Sequence, residues 1–267
     1  MPRHVTDDAQ RDVTVTSDVA RIVSLAPNVT EILFAIGAGP RVVGTDDYSD
    51  FPPGVKQLPK LGGVQPNIEK IAALHPDLVI AKSGYHPTLP TALAAAKLPL
   101  FISRTDRLDE IPAAMTSLAN VTGIDASAAV TKLRADIEGQ RRTRARQPRV
   151  MFVVLTQPLY VAGRESFADD LFKLCGAENA VEVTGWPQYS LESLAKHPPD
   201  LVLHPSRTVT RAQVEALLAS IPNAHVSIAA VDEDRFSRPG PRVAAAAAEL
   251  NAILDAFEQS AVAKPVE

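Results

Sequence analysis

Short apolar runs alternate with amphipathic stretches along this chain, at the spacings that separate strands from helices. Residues 21–25 form a compact apolar run that ends at Ala26-Pro27-Asn28. Residues 30–36 then read as a helix stopped by Gly37. Strand-like runs recur at 41–44, 77–81 and 100–103, and residues 13–16 alternate as a short edge strand. Helical stretches lie at 68–74, 89–96 and 111–121. The second half repeats the plan, with strands at 150–155, 200–204 and 226–231 and helices at 167–175, 191–195, 211–219 and 242–257. Strand and helix in alternation predict a mostly parallel sheet covered by helices, once in each half.

A duplicated segment supports two lobes. Gln65-Pro66-Asn67-Ile68-Glu69-Lys70-Ile71-Ala72 leads to Pro76-Asp77-Leu78-Val79-Ile80, and Gln188-Tyr189-Ser190-Leu191-Glu192-Ser193-Leu194-Ala195 leads to Pro199-Asp200-Leu201-Val202-Leu203. The copies stand 123 residues apart, well beyond the period of a solenoid repeat. Two similar lobes imply a ligand cleft between them, and each copy carries one glutamate, Glu69 and Glu192, at the same place. Between the halves, Val130, Leu133 and Ile137 fall on one helical face. They predict a single stiff interlobe helix of roughly 33 Å, ended by Pro148. Its basic tail, Arg141, Arg142, Arg144 and Arg146, reads as a solvated helix end that complements the dipole. The expected organisation is an N-terminal extension (1–20), an α/β lobe (21–124), the interlobe helix (125–147) and a second α/β lobe (148–267).

Composition removes whole classes of function. A net charge of −4 argues against nucleic acid as a partner, because phosphate binding needs a basic face. One cysteine, Cys175, permits no internal disulfide. No apolar run approaches the length of a membrane span, and Met1-Pro2-Arg3-His4 leads straight into polar sequence without the apolar stretch of a secretory signal. The Gly-x-Ser-x-Gly elbow, the Walker loop and the Gly-x-Gly-x-x-Gly turn are missing. The six histidines lack metal-ligand spacing. The expectation is a binding protein, not an enzyme, with no resident cofactor or metal.

Ligands of open α/β sheets bind beyond the carboxyl ends of the strands. In the first half those positions hold Pro27 and Asn28, then Asp46, Asp47 and Tyr48, then Lys82, Ser83 and Tyr85. In the second half they hold Gln157 and Tyr160, His204 and Ser206, and Asp234, Phe236 and Arg238. Trp186, the only tryptophan, sits in a Gly-Trp-Pro loop before the second repeat. Large rings beside a few polar groups suit a large, partly flat organic ligand: rings supply contact area, and Asp or Arg fixes orientation.

Residues 21–31, Tyr48-Ser49-Asp50-Phe51-Pro52-Pro53 and Leu74-His75-Pro76-Asp77-Leu78-Val79-Ile80 resemble the helical-backbone class of ABC-importer substrate-binding proteins. Gly163-Arg164-Glu165-Ser166, residues 174–179 and Trp186-Pro187-Gln188 resemble the cobalamin-binding branch of that class. The resemblance implies a periplasmic or extracytoplasmic monomer that carries cobalamin or a related corrinoid to a membrane permease. It places Tyr48, Tyr160, Trp186, Asp234 and Arg238 in the ligand cleft, and Glu69 and Glu192 as docking residues on permease arginines. The branch carries tryptophan where Val64 and Lys82 stand here. Haem or a ferric siderophore is the alternative cargo, with Tyr48, Tyr85, His86 or His204 as axial candidates for haem. An enzyme or intracellular corrinoid carrier is the remaining reading.

Overall fold

The computed structural model describes residues 2–84, 87–219, 221 and 226–262. Two compact units emerge: Met1–Thr105 with Asp109–Arg134, and Asp106–Leu108 with Ala135–Glu267.

The first unit opens with a hairpin of β1 (Arg3–Thr6) and β2 (Asp12–Val15). Only the second strand of this pair shows an alternating pattern strong enough to read from sequence. The hairpin is no free extension. The buried Asp7 accepts the Ile102 amide and is forked by Arg11, while Arg3 donates to the Asn120 and Val121 carbonyls. Then come β3 (Ile22–Ser24), α1 (Pro27–Ala35), β4 (Val42–Thr45), α2 (Ile68–Ala73), β5 (Leu78–Lys82), α3 (Leu89–Ala95), β6 (Leu100–Ser103), α4 (Glu110–Thr122) and α5 (Ser127–Glu138). Four strands pair in the order β4-β3-β5-β6, all parallel. Val23, Val79 and Ala81 bury one face against Ile71 of α2 and Leu89 and Leu93 of α3. By alternation Ile22, Leu78 and Ile80 face the other side, where α1 and α4 lie against the sheet.

The second unit contains β7 (Arg149–Thr156), β8 (Leu159–Val161), α6 (Phe167–Leu174), β9 (Glu178–Asn179), α7 (Leu191–Lys196), β10 (Leu201–Pro205), α8 (Arg211–Leu218), β11 (Ser227–Val231), α9 (Glu233–Ser237) and α10 (Val243–Val262). Strands run β11-β10-β7-β8, with β9 also on β7; β7-β8 is antiparallel and the other pairs are parallel. Met151, Val153 and Val202 pack against Leu194 of α7 and Val214 of α8.

The duplicated segment builds the same device in both units. Asn67 caps α2 by accepting the Lys70 amide, and Ser190 caps α7 by accepting the Ser193 amide. Ile71 and Leu194, both fully buried, anchor the two helices, each worth about 2 kcal/mol of apolar burial. Asp77 accepts the Ala20 and Arg21 amides, while Asp200 accepts the Arg149 amide. Each aspartate thus ties the helix–strand turn to the start of the neighbouring strand.

The connecting helix is shorter than expected. α5 stops at Glu138, about 18 Å after its start, and the boundary between the units falls within it. Asp125 caps it by accepting the Ser127 amide. Past Gly139, the Arg142 amide turns to the Leu174 carbonyl instead of continuing the helical ladder. Arg144 is no solvated helix end. Its side chain is only 5% exposed, donates to the Cys175 carbonyl and pairs with Asp255 and Glu258 of α10.

Candidate functional site

The predicted site residues fall into two sets, one on each unit. In the first unit they gather at the carboxyl ends of β3 and β4. Tyr48 lies in the loop after β4, 49% exposed. Its ring rests on Gly63: a Cβ there would come within 2.8 Å of the Tyr48 hydroxyl oxygen and 3.0 Å of the ring carbons. A side chain at Gly63 would therefore collide with the hydroxyl end of the Tyr48 ring, which stays half exposed. Phe51 and Val64 are likewise exposed apolar side chains.

A buried polar chain sets the Tyr48 loop. Ser24 bonds Thr30, Thr30 bonds Ser49, and Ser49 donates to Asp46. The second Asp46 oxygen accepts the Tyr48 amide at 3.0 Å. Lys60 Nζ donates to Thr45 Oγ1, the Asp46 carbonyl and the Ser49 carbonyl. Burial pushes the Asp46 carboxyl above its ordinary value, with the Ser49 hydroxyl, the Tyr48 amide and Lys60 opposing.

One of the two positions at the start of α1 differs from expectation. Pro27 is half-buried at the start of α1. Asn28 is buried, and its amide donates to Thr105 Oγ1 at 2.6 Å. It fixes α1 to the chain after β6, and its amide is not presented at the surface. Tyr85 and His86 lie outside the described residues.

The second-unit set begins with Tyr160, which is not a loop residue but part of β8, directly opposite Leu155 of β7. On its other side Tyr160 pairs antiparallel with Gln188, the Gly163 amide continues that register to the Gly185 carbonyl, and beyond it Arg164 and Thr184 form a parallel bridge. In this register Trp186 stands opposite Ala162, diagonal to Tyr160 and on the same face of the ladder. Trp186 is 50% exposed, and Leu155 and Tyr160 are also exposed. They form one apolar wall. Leu155 was missed by the sequence reading because its run looks like core.

Asp234 lies on α9, a short helix capped at its start by Asp232, which accepts the Arg235 amide, and Arg238 follows directly at its carboxyl end. Arg238 pairs with Asp234 at 2.9 Å. Arg207, just past β10, forks onto the same carboxylate at 3.0 and 2.5 Å. This cation draws the Asp234 carboxyl below its ordinary value, against burial. Its position two residues beyond Pro205, at a strand carboxyl end, was the available signal.

Two further expectations fail on burial. Phe236 is 0% exposed and packs its ring 5.9 Å from Phe152; it is core beneath α9. His204 lies within β10, is buried, and its Nδ1 bonds the Pro205 carbonyl. His204 belongs to β10, an interior strand buried along its whole length, and Phe236 sits on the face of α9 that meets Phe152. Glu69 and Glu192 are both exposed in the first turn of their helices, and Glu192 pairs with Lys196. Among the described residues, no group of three or more His, Cys, Asp or Glu side chains gathers to hold a metal, and no helix is long and apolar enough to cross a membrane.

Exposed rings for contact area and guanidiniums fixed by a shared carboxylate for orientation, carried on two α/β units, define a ligand-binding protein. A family model described as periplasmic binding protein matches residues 22–237. The chain belongs to that family. It is 34% identical over 239 residues to the vitamin B12-binding protein of Yersinia pestis (strain Pestoides F), covering 86% of this chain and 84% of that protein. Among solved structures it resembles the periplasmic vitamin B12-binding protein BtuF of Vibrio cholerae, 28% identical with a TM-score of 0.72, covering 90% of this chain and 98% of that one. It also resembles the periplasmic heme-binding protein RhuT from Roseiflexus sp. RS-1, 29% identical with a TM-score of 0.79, covering 92% and 100%.

Proposed function

We propose that this chain is the substrate-binding component of an ABC importer and carries cobalamin or a related corrinoid, without catalysis. The observation that carries the reading is the 34% identity to a vitamin B12-binding protein across 86% of the chain. The site supports it: the half-exposed Tyr48 beside Gly63, and the Leu155–Tyr160–Trp186 wall, offer broad ring surfaces to a flat macrocycle. Arg207 and Arg238, held by Asp234, supply polar orientation at the periphery. Glu69 and Glu192 present like charges from matching helix ends and dock on permease arginines. The working protein is a periplasmic monomer.

Trp186 is the only tryptophan, so its fluorescence reports the site directly. Titration with cyanocobalamin quenches it and releases heat at micromolar concentration. Absence of both signals overturns the corrinoid assignment. The likeness to RhuT and the exposed Tyr48 phenol favour haem as the second reading. Hemin binding with a Soret shift that Tyr48→Phe removes, in a protein silent toward cyanocobalamin, would establish it instead.

A further inference from the structure

Arg207 has no counterpart in the sequence reading, and its geometry changes the chemistry of the second-unit site. The guanidinium carries five N–H donors in a fixed fork. Nη1 donates to Asp234 Oδ2 and Nη2 to Asp234 Oδ1. Arg238 Nη2 meets the same Oδ1 at 2.9 Å. Both Asp234 oxygens are therefore engaged by cations before any ligand arrives. Exposure points the same way: the Arg207 side chain is 57% exposed and that of Asp234 only 15%. Glu233, the neighbouring acid, accepts the Thr208 amide through Oε2 and lies 3.8 Å from Arg207 through Oε1.

We propose that Arg207 is a ligand-contacting, specificity-determining residue. It withdraws Asp234 from use as an acceptor and turns this edge of the site into a donor surface. That surface recognises an oxygen acceptor on the ligand, the carbonyl or carboxylate of a side arm, in preference to an amide N–H. The effect is one of hydrogen-bond polarity and not of net charge. Asp232, Glu233 and Asp234 stand beside Arg207, Arg235, Arg238 and Arg242, so the cluster is close to balanced. A carboxylate facing a guanidinium makes charge-assisted bonds stronger than those of a neutral amide. A carboxylate facing an Asp234 held by Arg238 alone loses that donor and stands nearer to like charge.

This inference rests on the corrinoid reading, and its test separates the two. Calorimetry compares cyanocobalamin with the separated monoacids in which one peripheral propionamide is hydrolysed to the carboxylate. Wild type binds one monoacid at least as tightly as the amide. In Arg207→Ala that monoacid falls behind the amide, a change of roughly 10-fold or more in the ratio of dissociation constants. Arg207→Lys, which keeps the charge without the fork, retains part of the preference. Circular dichroism and thermal melting confirm that each variant is folded, as expected for an exposed side chain. A ratio unchanged by Arg207→Ala for every monoacid overturns the proposal. If wild type binds no corrinoid, the cobalamin reading fails. The same comparison then uses hemin against its dimethyl ester, and Arg207→Ala must narrow the preference for the free acid or the proposal falls too.

Discussion

Gly163→Ala isolates the backbone contact that places Trp186. A Cβ at residue 163 would lie 1.9 Å from the Val183 carbonyl oxygen, 3.0 Å from its carbon and 3.2 Å from the Gly185 carbonyl oxygen. Ordinary carbon–oxygen contact begins at about 3.3 Å, so the Val183 oxygen must retreat by about 1.4 Å. That oxygen belongs to the backbone and cannot rotate away as a flexible side chain would. Its retreat strains three hydrogen bonds of 2.8 Å: Gly163 to Gly185, Arg164 to Val183, and Gly185 to Arg164. At about 1 kcal/mol net apiece, the local pairing loses about 3 kcal/mol. The core on both sides survives, because Val161 and Val181 remain buried through β7 and its neighbours. The expected result is a folded protein with altered Trp186 emission and cyanocobalamin affinity reduced roughly 10- to 100-fold, as the competent arrangement becomes a minor population. Gly54→Ala is the control, since a Cβ there meets nothing within 4 Å. Unchanged emission and wild-type affinity in Gly163→Ala would refute the claim that this pairing positions the tryptophan.

Other predictions follow from the two ends of the repeat and from the buried polar chain. Reversing both exposed glutamates (Glu69→Arg with Glu192→Arg) leaves cyanocobalamin affinity nearly unchanged and abolishes permease-dependent uptake; normal uptake would reduce both residues to helix-end chemistry, where each contributes about 0.3–1 kcal/mol. Asp46 has its native pKa raised above 3.8 by burial, so the folded state binds more protons than the unfolded one. Its contribution to stability is greatest below pH 3.8 and is lost as pH rises through the raised native value. Denaturant titrations should therefore show the stability of Asp46→Asn gaining on wild type as pH rises across that window; parallel pH profiles would contradict the assignment.

The chain's own pattern determined a great deal. Strand and helix periodicity located the parallel strands of both units and most of their covering helices, because burial on one face leaves a local trace of period 2 or 3.6. The duplicated caps Asn67 and Ser190, the buried Ile71 and Leu194, and the paired aspartates were also legible, since each acts within a few residues or repeats at a fixed offset. Tyr48 was sought beyond a strand end and is exposed there, Trp186 was singled out in the loop before the second repeat, and Tyr160 proved to belong to a strand of its own.

Only the tertiary structure decided the rest, because the deciding partner lies far along the chain. Arg142 gives its amide to Leu174, which ends α5 early, and Arg144 is drawn into α10. Phe236 meets Phe152 and becomes core, although its neighbours Asp234 and Arg238 remain at the site. Asn28 is claimed by Thr105, and Asp234 by Arg207. A sequence shows which side chains stand near a strand end; burial and competing partners determine which of them are left for a ligand.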